Sequence, residues 1–129
     1  MTTNFVLLIN SDVNSQGSHS ALAFANELIA QGQHIKQVFF YQDGVTNTNS
    51  LCSPASDEIN LVEQWQTLHQ THNVELVSCV AASLRRGIVD KQLATEQHLT
   101  SDNLAQGFRL GGLGEFVEAS SHADKLIQF

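Results

Sequence analysis

An α/β fold, with a mainly parallel sheet covered by helices on both faces, is what this chain predicts, and three observations carry it. Short apolar runs alternate with segments whose apolar residues recur at helical spacing. The first run, Phe5-Val6-Leu7-Leu8-Ile9, contains no polar residue and so reads as a strand buried on both faces, the pattern of parallel sheets. The chain has 129 residues, 42% of them hydrophobic, with one proline and no low-complexity tract, which fits one core of ordinary domain size.

The elements follow in order. After Ile9 the run Asn10 to Ser18 is a polar loop, and from Ser18 or His19 onward Ala21, Phe24, Ala25, Leu28 and Ile29 define a helical face. Gly32 stands where a glycine closes a helix. Ile35 to Tyr41 predicts the second strand and Gln42 to Cys52, polar and carrying Asp43-Gly44, a long loop. Ser53-Pro54 predicts an N-cap with proline at the first helical position, and Leu61, Val62, Trp65, Leu68, His69 and His72 one face of the helix that follows. Val74 to Ser78 predicts the third strand, with a helix from Val80 to about Gly87. Between Ile88 and Gln106 the pattern is weak; Ser101-Asp102 and Leu104 to Phe108 suggest short helical pieces. Leu113, Phe116, Val117 and Ser120 repeat at helical spacing, and Lys125 to Phe129 closes the chain as a strand.

Charge and cysteine usage narrow the function. A formal charge of −7 with only six Lys and Arg residues lacks the basic footprint that direct nucleic-acid binding needs. No stretch approaches the roughly 20 apolar residues of a membrane span, and Met1-Thr2-Thr3-Asn4 lacks the basic start of a secretory signal, so a cytoplasmic location is expected. Cys52 and Cys79 have neither CxxC nor metal-type spacing, and in a reducing compartment two free thiols are the expected state.

Cys79 is the candidate that chemistry singles out, because it sits where a strand run stops and a helical run begins. Unpaired N–H groups and the positive dipole end at a helix start favour thiolate over thiol. The plain alternative is a small buried hydrophobe at a strand end. In parallel sheets functional groups gather at the carboxyl ends of the strands, and that rule puts Cys79 on a rim with the loops after Ile9 and Tyr41. Cys52, in a polar loop, reads as a bystander thiol or a resolving partner. Arg85 and Arg86 lie about two helical turns beyond Cys79, where they either draw an acidic partner or complement a helix C-terminus. His69 and His72 read as surface residues rather than ligands, and His19 faces the same rim with no partner assigned. Gly111-Gly112-Leu113-Gly114 lacks a Walker lysine and reads as a tight turn.

Several segments in this order resemble one family. They are Val38-Phe39-Phe40-Tyr41-Gln42-Asp43-Gly44-Val45, Ser53-Pro54-Ala55-Ser56-Asp57-Glu58, Cys79 to Gly87, Ser101 to Phe108, Gly112-Leu113-Gly114 and the closing Leu126-Ile127-Gln128-Phe129. Together they resemble the DsrE-like sulfurtransferases over nearly the whole chain. The resemblance implies a three-layer sandwich around a five-stranded sheet, with residues 1–129 as one sulfur-relay domain. It implies that Cys79 carries sulfur as a persulfide, without metal or organic cofactor, in the relay that makes 2-thiouridine at the tRNA wobble position. The implied partners are a TusA-like sulfur donor, a TusE-like acceptor, and TusB-like and TusC-like subunits in a heterohexamer. Cys52 departs from the family pattern, and neither it nor His19 receives a role. A subunit of dissimilatory sulfur oxidation and a noncatalytic assembly subunit are the rival readings; a flavodoxin-like nucleotide binder ranks below both.

Overall fold

Five short strands, all paired in parallel, form the centre of the molecule in the order β4-β3-β2-β1-β5. The computed structural model describes residues 2–129. The strands are β1 (Asn4–Ile9), β2 (His34–Phe40), β3 (Glu75–Cys79), β4 (Phe108–Gly111) and β5 (Lys125–Gln128). The helices are α1 (Gln16–Ala30), α2 (Leu61–His72), α3 (Val80–Arg85), α4 (Lys91–Glu96) and α5 (Leu113–Ser121), and a 3-10 helix spans Gln42–Thr48.

Neighbouring side chains on a strand point to opposite faces, and β2 shows it in its aromatics. Phe40 meets Trp65 of α2 at 5.5 Å between ring centroids, whereas Phe39 meets Phe116 of α5 at 5.0 Å. On the first face Phe24 of α1 lies edge-on to Phe5 of β1. Thus α1 and α2 cover one face, and α5, returning the chain from β4 at one edge to β5 at the other, crosses the second. Right-handed crossovers between parallel strands produce this division. Trp65, Phe39 and Phe40 are fully buried, each contributing about 1.5–3 kcal/mol by leaving water.

Helix ends match local chemistry. Gly32 (φ +77°) follows the end of α1, and its N–H and that of Gln33 donate to Ile29 and Leu28. Gly87 (φ +73°) ends α3 in the same way, with N–H groups of Gly87 and Ile88 donating to Leu84 and Ser83.

Three expectations need correction. The second helix does not start at Ser53-Pro54: its cap is Asn60, whose side chain accepts from the Glu63 N–H, and residues 52–60 form a loop along its entrance. Gln42 to Thr48 is helical rather than loop. In the weakly patterned stretch, the helical piece is Lys91–Glu96, capped by Asp90, while Ser101-Asp102 and Leu104 are not helical and Phe108 begins β4. Strand β4 exists because β3 offers it a partner edge; four residues carry too little periodicity to announce it.

Candidate active site

Cys79 is both the last residue of β3 and the N-cap of α3. Alternation sends Leu76 and Ser78 toward the α1/α2 face, and Val77 and Cys79 toward the α5 face. Cys79 is 3% exposed and forms part of the core. As the cap it makes no side-chain hydrogen bond of its own to α3, so the first-turn N–H groups of that helix are not satisfied by it.

The turn carrying Cys79 is fixed from behind by hydroxyls. Ser78 Oγ lies 2.7 Å from Ser83 Oγ and 3.4 Å from Thr48 Oγ1, and Thr48 Oγ1 donates to the Val45 carbonyl at 2.8 Å. Next to this chain Asn47 Nδ2 donates to the Ser11 and Gly44 carbonyls and to Ser18 Oγ, while its Oδ1 accepts from Trp65 Nε1. Buried polar groups connected in this way hold one geometry, because breaking any link leaves an unpaired group out of water. The 3-10 helix, the loop after β1 and the β3–α3 turn are thereby tied together.

In front of the turn lies almost bare backbone. Gly111 of β4 is the register partner of Cys79. A Cβ at Gly111 would meet Glu115 Oε2 and stand 2.7 Å from Val77 Cγ1, so any side chain there would have to displace both. A cavity of about 280 Å³ opens at this point, between Val80 on one side, Gly111 and Gly112 on the other, and Asp90, Leu93 and Glu96 along its rim.

Residues 3–129 match the model of the DsrE/DsrF-like family. The chain belongs to that family. Curated relatives agree over full length. A sulfurtransferase TusD of Erwinia tasmaniensis is 49% identical over 126 residues, covering 97% of this chain and 98% of the relative. The sulfurtransferase TusD of Pectobacterium carotovorum is 46% identical over 129 residues, all of both chains, and a TusD homolog of Vibrio parahaemolyticus is 48% identical over 126 residues, 97% of this chain and 96% of that one. The crystal structure of the YchN protein from E. coli shares the fold, with a TM-score of 0.77 at 21% identity over the whole of both chains. Sulfur transfer is accordingly the activity class of this DsrE/DsrF-like chain.

Other residues singled out by sequence fall elsewhere in the family fold. Cys52 and His19 do come together, but with each other: both line a cavity of about 450 Å³ with Val13, Pro54, Glu58 and Leu61, at the entrance of α1 and α2. Cys79 does not line that cavity, and both cysteines are free thiols. Arg86 is a tie within the fold rather than a free charge, pairing with Asp43 at 3.0 Å and donating to the Ala82 carbonyl. Arg85 is exposed and makes no ion pair among the described residues. His69 is half-buried and its Nδ1–H donates to the Val74 carbonyl, whereas His72 is exposed. Among the described residues no cluster of three or more His, Cys, Asp or Glu is placed to hold a metal, and no helix is long and apolar enough to cross a membrane.

Sequence reading missed Asp90 as the cap of α4 and the close packing around Gly111. Asp90 had a local signal, a capping residue three positions before Leu93. Gly111 had none, because what it must avoid comes from β3 and α5.

Proposed function

We propose that Cys79 is the sulfur-carrying nucleophile of this sulfurtransferase. The single observation that supports the reading most is its position: a thiol at the carboxyl end of a central strand and the start of a helix, with its turn immobilised by the Ser78–Ser83–Thr48 hydroxyls. The thiolate attacks the outer sulfur of a donor persulfide R–S–SH, forming the new S–S bond of Cys79–S–SH as the donor's S–S bond breaks and R–S⁻ departs. An acceptor thiolate then attacks the outer sulfur of Cys79–S–SH, and Cys79 returns to its thiolate form. Atoms and electrons balance without an external oxidant, and no cofactor enters.

In this reading residues 1–129 act as one cytoplasmic relay domain. A TusA-like protein is the donor, a TusE-like protein the acceptor, and TusB-like and TusC-like subunits complete a heterohexamer serving wobble-uridine thiolation of tRNA. The acidic chain fits a protein that hands sulfur to other proteins and leaves the tRNA to a later enzyme. The burial of Cys79 favours a second reading, a noncatalytic subunit with a structural thiol.

Incubation with a persulfide donor followed by mass spectrometry separates the two. The wild type should gain about 32 Da, one sulfur, removable by reductant. Cys79→Ser should gain none at that position. A wild-type protein that stays unmodified at Cys79 would sink the transfer reading and leave the structural one.

A further inference from the structure

The buried positions of β2 are apolar except one. Beside Ile35, Val38, Phe39 and Phe40 stands Gln37, 2% exposed, whose buried Oε1 has no hydrogen-bond partner. A buried amide oxygen without a partner is costly, and an apolar residue would suit such a strand better, so Gln37 calls for an occupant that bonds it. The register shows how a cavity reaches it. Phe5 of β1 pairs with Ile35 and Val6 with Gln37, so Lys36 is an extra residue, a bulge in β2. Lys36 and Gln37, which strict alternation would send to opposite faces, thereby line the same cavity of about 220 Å³ between the sheet and α5. Glu75, Glu115, Glu118 and His122 complete its polar lining, and Cys79 is not part of it.

The charges of this lining are only partly paired. Arg109 bonds both Glu75 and Glu115, and His122 Nδ1 is engaged by Ser121 Oγ and the Glu118 carbonyl. The Lys36 ammonium and the Glu118 carboxylate form no ion pair among the described residues. We propose that the cavity binds a small free amino acid, with its carboxylate on Lys36 and its ammonium on Glu118 and the Gln37 amide oxygen. A cation alone would face Lys36 and an anion alone would face three carboxylates, so a molecule carrying both charges is the one this lining matches. The volume limits the ligand to a few heavy atoms. A lone water would satisfy the amide without using either charge. The inference stands apart from the persulfide reading of Cys79 and does not depend on its outcome.

The test titrates the full-length, nitrogen-labelled chain with L-alanine and with two molecules that each lack one of its charges, ethylamine and propionate. Alanine is expected to move the NMR signals of the Gln37 side-chain amide saturably, with a midpoint on the order of 1 mM. At tenfold excess over that midpoint it should raise Tm by about 5 °C. Ethylamine and propionate should each bind at least about tenfold more weakly. Glu118→Gln, an exposed change that removes only the charge, should weaken alanine about tenfold and leave the Tm of the free chain unchanged. Gln37→Leu removes an unbonded buried amide, so without ligand it should unfold at or above the wild-type temperature, and it should lose the response to alanine. Absence of a saturable shift, the result of a cavity that holds water only, overturns the inference. Equal binding of the three molecules also overturns it, as does a Gln37→Leu chain that keeps the response or unfolds well below wild type.

Discussion

At the scale of single residues, the two cysteines have opposite prospects although the chain marks neither with a motif. Cys79 is anchored by its backbone in a strand-to-helix turn and surrounded by core, whereas Cys52 is half-exposed in a loop beside the entrance of α2. The cavities that Cys52 lines do not include Cys79, which disfavours a direct handover between them. Cys52→Ser is therefore expected to leave sulfur loading at Cys79 within about twofold of wild type, since exchange depends on the attacking thiol and its access; adduct formation followed over time is the measurement, and a severe loss would show that Cys52 resolves or supplies the persulfide. Cys79 could be singled out from its flanking runs alone. Ser83 and Thr48, which bond Ser78 beside it, and its register partner Gly111 could not, because each comes from a different element.

Element by element, success followed the length of the periodic signal. Strands β1, β2 and β3 and helices α1 and α5 were legible because apolar residues mark them directly. The start of α2 was misplaced because Ser53-Pro54 and Asn60 both offer capping chemistry, and only the packing of Leu61, Val62 and Trp65 decides between them. The 3-10 helix after β2 was hidden in a polar stretch, yet its seating is strict. Gly44 lies so close to β1 that a Cβ there would overlap the Ile9 carbonyl oxygen. Gly44→Ala should destabilise the protein by about 1–3 kcal/mol through forced displacement of backbone, seen as a lower urea midpoint with unchanged slope. A midpoint equal to wild type would mean the 3-10 helix moves freely on the sheet. The Arg109 cluster with Glu75 and Glu115 calls for no comparable penalty. The hydrogen bond that Arg109 donates to Glu115 holds the guanidinium charged above its usual range, so on the alkaline side its contribution falls away only as pH rises through that raised range. These side chains are also about half exposed, where ion pairs contribute little.

Over the whole molecule the sheet is unequally protected. Two long helices cover one face, while α5, with only Ala119 fully buried, is the main cover on the other, and Leu113, Val117 and Leu126 remain exposed there. Local stability should follow this asymmetry. Amide hydrogen exchange is expected to be slowest in β1, β2 and β3 and faster by at least about tenfold in α5 and β5; uniform protection across the sheet would contradict it. The same asymmetry separates what the two levels of description decide. Sequence alone determined the α/β class, the alternation of elements, the acidic character and the thiol at the end of β3, because each is written in local periodicity or composition. Tertiary structure alone decided that β4 exists, that Cys52 and His19 share a cavity that Cys79 does not line, and that Gly111 pairs with Cys79. Those facts depend on residues far apart in the chain meeting in space, and contacts of that kind leave no trace in the spacing of any single segment.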